Sequence, residues 1–198
     1  AHVMFAGVGD HLSDRAPFQA GQFEAGTKEL DLWLTKIYLE GNGGGHGMES
    51  YSLAWYFAAR HTSIDCFEKR EEKGFLFTIG DEWVHPVLEA AKIEAIFGDK
   101  IGQDISMESI LQEVQRMYHV IHLHVVHDSM SDQVSAKWKK LLGQNLIMVE
   151  DYNNIAEIIA STVAVIRGSD LEHVVKGFDA STAKSVSNAL VKISSAVS

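Results

Sequence analysis

Gly74-Phe75-Leu76-Phe77-Thr78-Ile79-Gly80-Asp81-Glu82 is the clearest strand in the chain. Phe75 to Ile79 run between two glycines without a charge, and an apolar strand that does not alternate is expected where helices cover both faces of a sheet. Downstream, helical and strand patterns alternate. Pro86 suits the first turn of a helix through Leu88, Ala91, Ile93 and Ile96, closed by Gly98. A helix from about Ser106 to Tyr118 leads into the strand Val120–Val126. After Asp128 to Asp132 comes a helix through Val134, Trp138 and Leu141, ended by Gly143, and then the strand Leu146–Val149. Asn153 and Asn154 are suited to cap a helix that carries Ile155, Ile158, Ile159, Val163 and Ile166 to Gly168. This order predicts an α/β fold with a mainly parallel central sheet and helices on both faces.

Upstream, Val3 to Val8 reads as a buried strand ending at Gly9-Asp10, and Phe18 to Glu24 as a weaker strand near an edge. Leu30, Trp33, Leu34, Ile37 and Tyr38 recur at helical spacing, predicting a helix from about Lys28 to Glu40 that Gly41 stops. Gly41-Asn42-Gly43-Gly44-Gly45-His46-Gly47 can only be a loop, because so many glycines cost too much entropy in a helix or strand. It feeds a helix from about Glu49 to Arg60 or His61, so Glu49 and Ser50 are expected at its start, as caps or as ligands. Glu68 to Lys73 reads as a solvated connector. Residues 1–168 then form one α/β domain, and 169–198 a short helical tail with Val186, Leu190, Val191 and Ile193 as its apolar stripe.

The 198 residues, 46% hydrophobic and 22% charged, suffice for a substantial core. A formal net charge of −10 opposes binding to nucleic acid or an anionic membrane. Cys66 is the single cysteine, which rules out an internal disulfide; it reads as a plain thiol compatible with a reducing compartment. No apolar run reaches the ~20 residues that span a bilayer, and no secretory leader is visible, so the expected location is cytoplasmic.

Ligands of open parallel sheets bind beyond the carboxyl ends of the strands. Gly9-Asp10, Gly41–Ser50 and Gly80-Asp81-Glu82 are expected to converge on one such rim. The glycine loop lacks the Lys-Ser or Lys-Thr of a nucleotide-binding loop. A different reading starts from His122 and His124, on one face of a strand and flanked by His119 and His127: a His-x-His pair can chelate zinc, as in a hydrolase. No Ser-His-Asp or Cys-His spacing is visible.

A strand ending in Gly-Asp, an edge strand, a helix, a Gly-rich Met-Glu-Ser loop before a Leu-Ala helix, and a strand ending in Ile-Gly-Asp-Glu together resemble a von Willebrand factor A domain of the bacterial or phage type. The likeness covers residues 1–168. It implies a Rossmann-like fold and a metal-ion-dependent adhesion site holding magnesium or another divalent cation, with Asp81, Glu49 and Ser50 as candidate ligands and no catalytic residues. It also implies a protein-interaction role, with an AAA+ ATPase or other assembly component as the kind of partner. The family's Asp-x-Ser-x-Ser motif would lie before Ala1; Asp179-Ala180-Ser181-Thr182-Ala183 is its only echo. That difference, and His46 where related sequences carry Asp, leave open an alternative: a structural or assembly protein with a metal-free version of the fold.

Overall fold

The computed structural model describes residues 1–41, 45, 47–127 and 131–197. Asn42, Gly43, Gly44, His46 and Asp128, which enter the sequence reading, lie outside the described residues. In chain order the elements are β1 (Ala6–Val8), β2 (Phe18–Ala20), α1 (Thr27–Lys36), β3 (Met48–Glu49), α2 (Tyr51–Arg60), α3 (Asp65–Arg70), β4 (Gly74–Gly80), β5 (Trp83–Val84) and β6 (Val87–Leu88). They continue with α4 (Ala90–Phe97), β7 (Ile105–Ser106), α5 (Met107–Val114), β8 (Tyr118–Val125), α6 (Ser131–Leu142), β9 (Leu146–Val149), α7 (Ile155–Ile166), α8 (Leu171–Val175) and α9 (Ala180–Val197). The chain is mixed α/β. Among the described residues no helix is long and apolar enough to cross a membrane.

These elements fall into two compact units, one of residues Ala1–Glu72 with Trp83–Met117, the other of Lys73–Glu82 with Tyr118–Ser198. In the second unit β4, β8 and β9 form a parallel sheet in that order, with Thr78 opposite His122 and His124 opposite Met148. The apolar run of β4, expected to be covered on both faces, is an outer strand that leaves Ile79 43% exposed. The central strand is β8, whose Val120, Ile121, His122, Leu123 and His124 are all buried. Ile121 and Leu123 face a core completed by Ile147, Val149, Ile158, Val165, Val186, Leu190 and Ile193. Residues 169–197 therefore contribute to the main core of this unit through α9. On the other face, the Trp138 ring of α6 stacks on His122 at 3.8 Å. The Asp179 carboxylate accepts from the N–H groups of Ser181 and Thr182, so the Asp-x-Ser-like echo is a helix cap.

In the first unit, the opening run forms only the short β1, exposed to half-buried and antiparallel to β2, where a buried strand was expected. α1 ends at Lys36, before Gly41, and buries no residue. Glu49 belongs to β3, which pairs parallel with β5, so α2 starts two residues later than the sequence suggested. The residues expected as a charged connector, Glu68 to Lys73, include the second half of α3. Pro86 precedes β6 and not a helix; α4 starts at Ala90 and ends, as expected, at Gly98, whose φ of +79° suits glycine. α2 buries Tyr51, Leu53, Ala54, Trp55, Tyr56 and Ala58 and packs on α5, whose Met107, Ile110, Leu111 and Val114 are buried.

Since Leu190 is fully buried, Leu190→Ala is expected to cost about 2–5 kcal/mol by lost transfer energy and cavity formation. Urea unfolding measures this; a cost below about 0.5 kcal/mol, typical of surface sites, would show that α9 is not part of the core.

Candidate metal centre

Gly9 follows β1, and a Cβ there would push aside the Asp14 carboxylate. That carboxylate accepts the Asp10 N–H at 2.7 Å, while the Asp10 carbonyl accepts the N–H groups of Ser13 (3.2 Å) and Asp14 (2.8 Å). The tight turn fixes Asp10, fully buried, and His11, 5% exposed. His85 follows β5 and is 4% exposed; its N–H donates to the Glu49 carbonyl at 3.2 Å, extending the β3–β5 pairing.

Asp10 Oδ1 accepts from Leu12 N–H at 3.0 Å and from His85 Nε2 at 2.8 Å, and Oδ2 accepts from the Ser13 hydroxyl at 2.8 Å. Burial alone pushes this carboxyl up, but those hydrogen bonds and the His85 charge together hold it below the ordinary carboxylate value. Asp10 is thus ionised, and the His85 Nε2 facing it carries the proton. His11 Nδ1 lies 2.6 Å from Ser50 Oγ, and that oxygen also accepts the His11 N–H at 2.8 Å. Burial pushes the His11 imidazole down, His85 and Lys92 add to this, and Asp10 and Glu89 oppose it. The neutral form that results is the one that ligates metals. Lys92 Nζ donates to the His11 carbonyl at 2.9 Å.

Asp10, His11 and His85 each offer a ligand atom, and these atoms lie within 4.8 Å of one another. Among the described residues this is the group of His, Cys, Asp and Glu side chains that could hold a metal ion. Of the candidate ligands read from the sequence, Ser50 is fully buried and bonded to His11, and Glu49 is half-buried and linked to His85 through its backbone. Ser50 occupies the N-cap position of α2 but makes no capping hydrogen bond, because its hydroxyl is turned to His11. Asp81 is exposed and belongs to the other compact unit, where burial lowers the pKa of His124 and the Asp81 charge partly offsets this. The sequence reading missed His11 and His85. The available signals were the Gly-Asp-His run at a strand end and a histidine directly after a short apolar pair.

His122 and His124, the expected zinc chelators, are fully buried with ring centroids 6.0 Å apart. His122 Nδ1 lies 2.9 Å from Thr78 Oγ1, and His124 Nε2 2.7 Å from Ser131 Oγ. Hydroxyl partners and the Trp138 stack make them part of a polar layer in the core. His119 is half-buried on the same strand and His127 exposed beyond it.

No protein-family model, curated protein or solved structure matches the chain.

Burial pushes His122 down to about 3 from an ordinary 6.5, and burial also lowers His124. The unfolded chain therefore takes up these protons first, so their neutral burial is fully tolerated above about pH 6.5, and stability falls as pH drops toward 3. Each group contributes a slope of up to about 1.4 kcal/mol per pH unit. Denaturant midpoints between pH 7 and 4 test this: His122→Gln is expected to flatten the decline, and an unchanged slope would refute the assignment.

Proposed function

We propose that the chain is a divalent-cation-dependent protein-interaction domain of the von Willebrand factor A type, Rossmann-like in plan, with its cation held in the Asp10–His11–His85 cluster. The observation that carries this reading is the meeting of the Gly9-Asp10 turn with Ser50 at the end of the glycine loop, through Ser50 N–H to the Gly9 carbonyl and the Ser50 hydroxyl to His11. These are two of the three loops expected from the sequence to converge on one rim, and the resemblance puts candidate metal ligands in the second of them. The parallel order of β4, β8 and β9, with helices on both faces, is also in keeping with that fold.

The ligating side chains are closed to solvent, so a cation there would fix the surrounding loops, and a partner would meet the surface those loops form. A protein partner such as an assembly component or an AAA+ ATPase comes from the resemblance alone. The net charge of −10 favours a partner with basic patches over nucleic acid. Magnesium at Asp81, Glu49 and Ser50 is the cation and ligand set that the resemblance implies. Magnesium prefers oxygen donors, whereas the cluster around Asp10 offers two imidazoles and one carboxylate.

A second reading is favoured by the direct bonds between His85 and Asp10 and between His11 and Ser50, which satisfy buried polar groups without an ion. In that case the fold is a structural or assembly module whose former metal site has become a hydrogen-bonded core.

Calorimetric titration with Mg²⁺, Mn²⁺ and Zn²⁺ separates the two. One saturable site in the wild type, weakened at least tenfold by Asp10→Ala, supports the metal-dependent reading. Absence of binding by all three cations, or equal binding by both proteins, supports the structural one.

A further inference from the structure

We infer that Asp10, His11 and His85 form a zinc-class site in which the ion takes the place of the proton between His85 and Asp10 and staples three segments of the first unit together. This rests on the reading that the cluster holds a cation, and goes beyond it by naming the ion's class and role. Two imidazoles and a carboxylate are a borderline-soft donor set, suited to zinc and poor for magnesium or calcium. The three ligands come from two segments, the turn after β1 with Asp10 and His11 and the residue after β5 with His85, and a third segment, between β3 and α2, joins through Ser50, which orients His11.

The atoms balance simply. His85 Nε2–H donates to the ionised Asp10 Oδ1 across 2.8 Å. Two ligands on one tetrahedral zinc, at about 2.0–2.1 Å each, stand about 3.3 Å apart, so the pair has to open by only about 0.5 Å. The ring proton passes from Nε2 to Nδ1 by exchange, so that His85 binds as a neutral imidazole, and the freed Nε2 lone pair and the carboxylate oxygen take the ion. With His11 Nδ1 held by Ser50, its Nε2 is the nitrogen left for the metal. Anchoring of the second imidazole nitrogen by an outer hydrogen bond is the arrangement that fixes ring orientation in metal sites. Asp14 acts one step further out, holding the Asp10 backbone. Lys92 is the opposing charge, and its ammonium is engaged by the His11 carbonyl.

Zinc titration of the full chain, stripped with chelator, tests the inference. The expected result is one ion per chain and a raised melting temperature. Cobalt(II) in place of zinc should give the intense visible bands of a four- or five-coordinate site. Ser50→Ala, which keeps all three ligands, should weaken zinc by about 10–100-fold, and His11→Gln and His85→Gln should abolish the cobalt bands.

Should the histidine variants fail to fold, the wild-type cobalt spectrum decides alone; a pale octahedral spectrum overturns the inference. Zinc binding that survives both histidine substitutions also overturns it. Magnesium binding that depends on Asp81 or Glu49 but not on the histidines would overturn it and leave the cation-dependent reading standing. Binding of no cation removes both.

Discussion

The Asp10 carboxylate, buried and ionised, is the constraint from which the first unit is built. A carboxylate out of water costs several kcal/mol unless nearly all its lone pairs are used. Here Leu12, Ser13 and His85 supply donors to the carboxylate, while the Asp10 backbone is locked to Ser13 and Asp14. Satisfying one charge thereby ties the turn after β1 to the residue after β5, more than seventy positions along the chain. The requirement extends to Gly9, where any side chain would displace Asp14, and to Ser50, whose hydroxyl steadies the neighbouring His11.

The second unit meets the same demand with neutral groups. Its central strand carries two buried histidines that have a threonine, a serine and an indole ring as neighbours. Kept neutral by burial, they cost little at pH 7 and more as the solution turns acid. The two units thus use histidine differently: beside an ionised Asp10 in one, as a hydroxyl-bonded core residue in the other. Among the described residues, it is the first arrangement that brings a carboxylate and two imidazoles within reach of one ion.

The α/β alternation after Phe75 was legible because β4, β8, β9 and the helices between and after them are single-period segments bounded by glycine or capping residues. The roles of the strands were not. The purely apolar β4 lies at the edge, and the histidine-bearing β8 is central, because Thr78, Ser131 and Trp138 supply the polar and stacking partners that let β8 be covered. Such compensation is a tertiary property that no local window contains. Short pairings such as β3 with β5 were missed for the same reason, since two residues carry no period. Ser50 was singled out through the glycine loop, whereas His11 and His85 gain meaning only when residues 10 and 85 are brought together.

X-ray absorption at the zinc edge of the loaded chain tests the central claim most directly, since it reads the ligands themselves. A first shell of four or five nitrogen and oxygen atoms at about 2.0–2.1 Å, with the outer-shell scattering of two imidazoles that vanishes in the His11→Gln, His85→Gln double variant, is the predicted result. A shell of oxygens alone, or imidazole scattering unchanged in that variant, would contradict it.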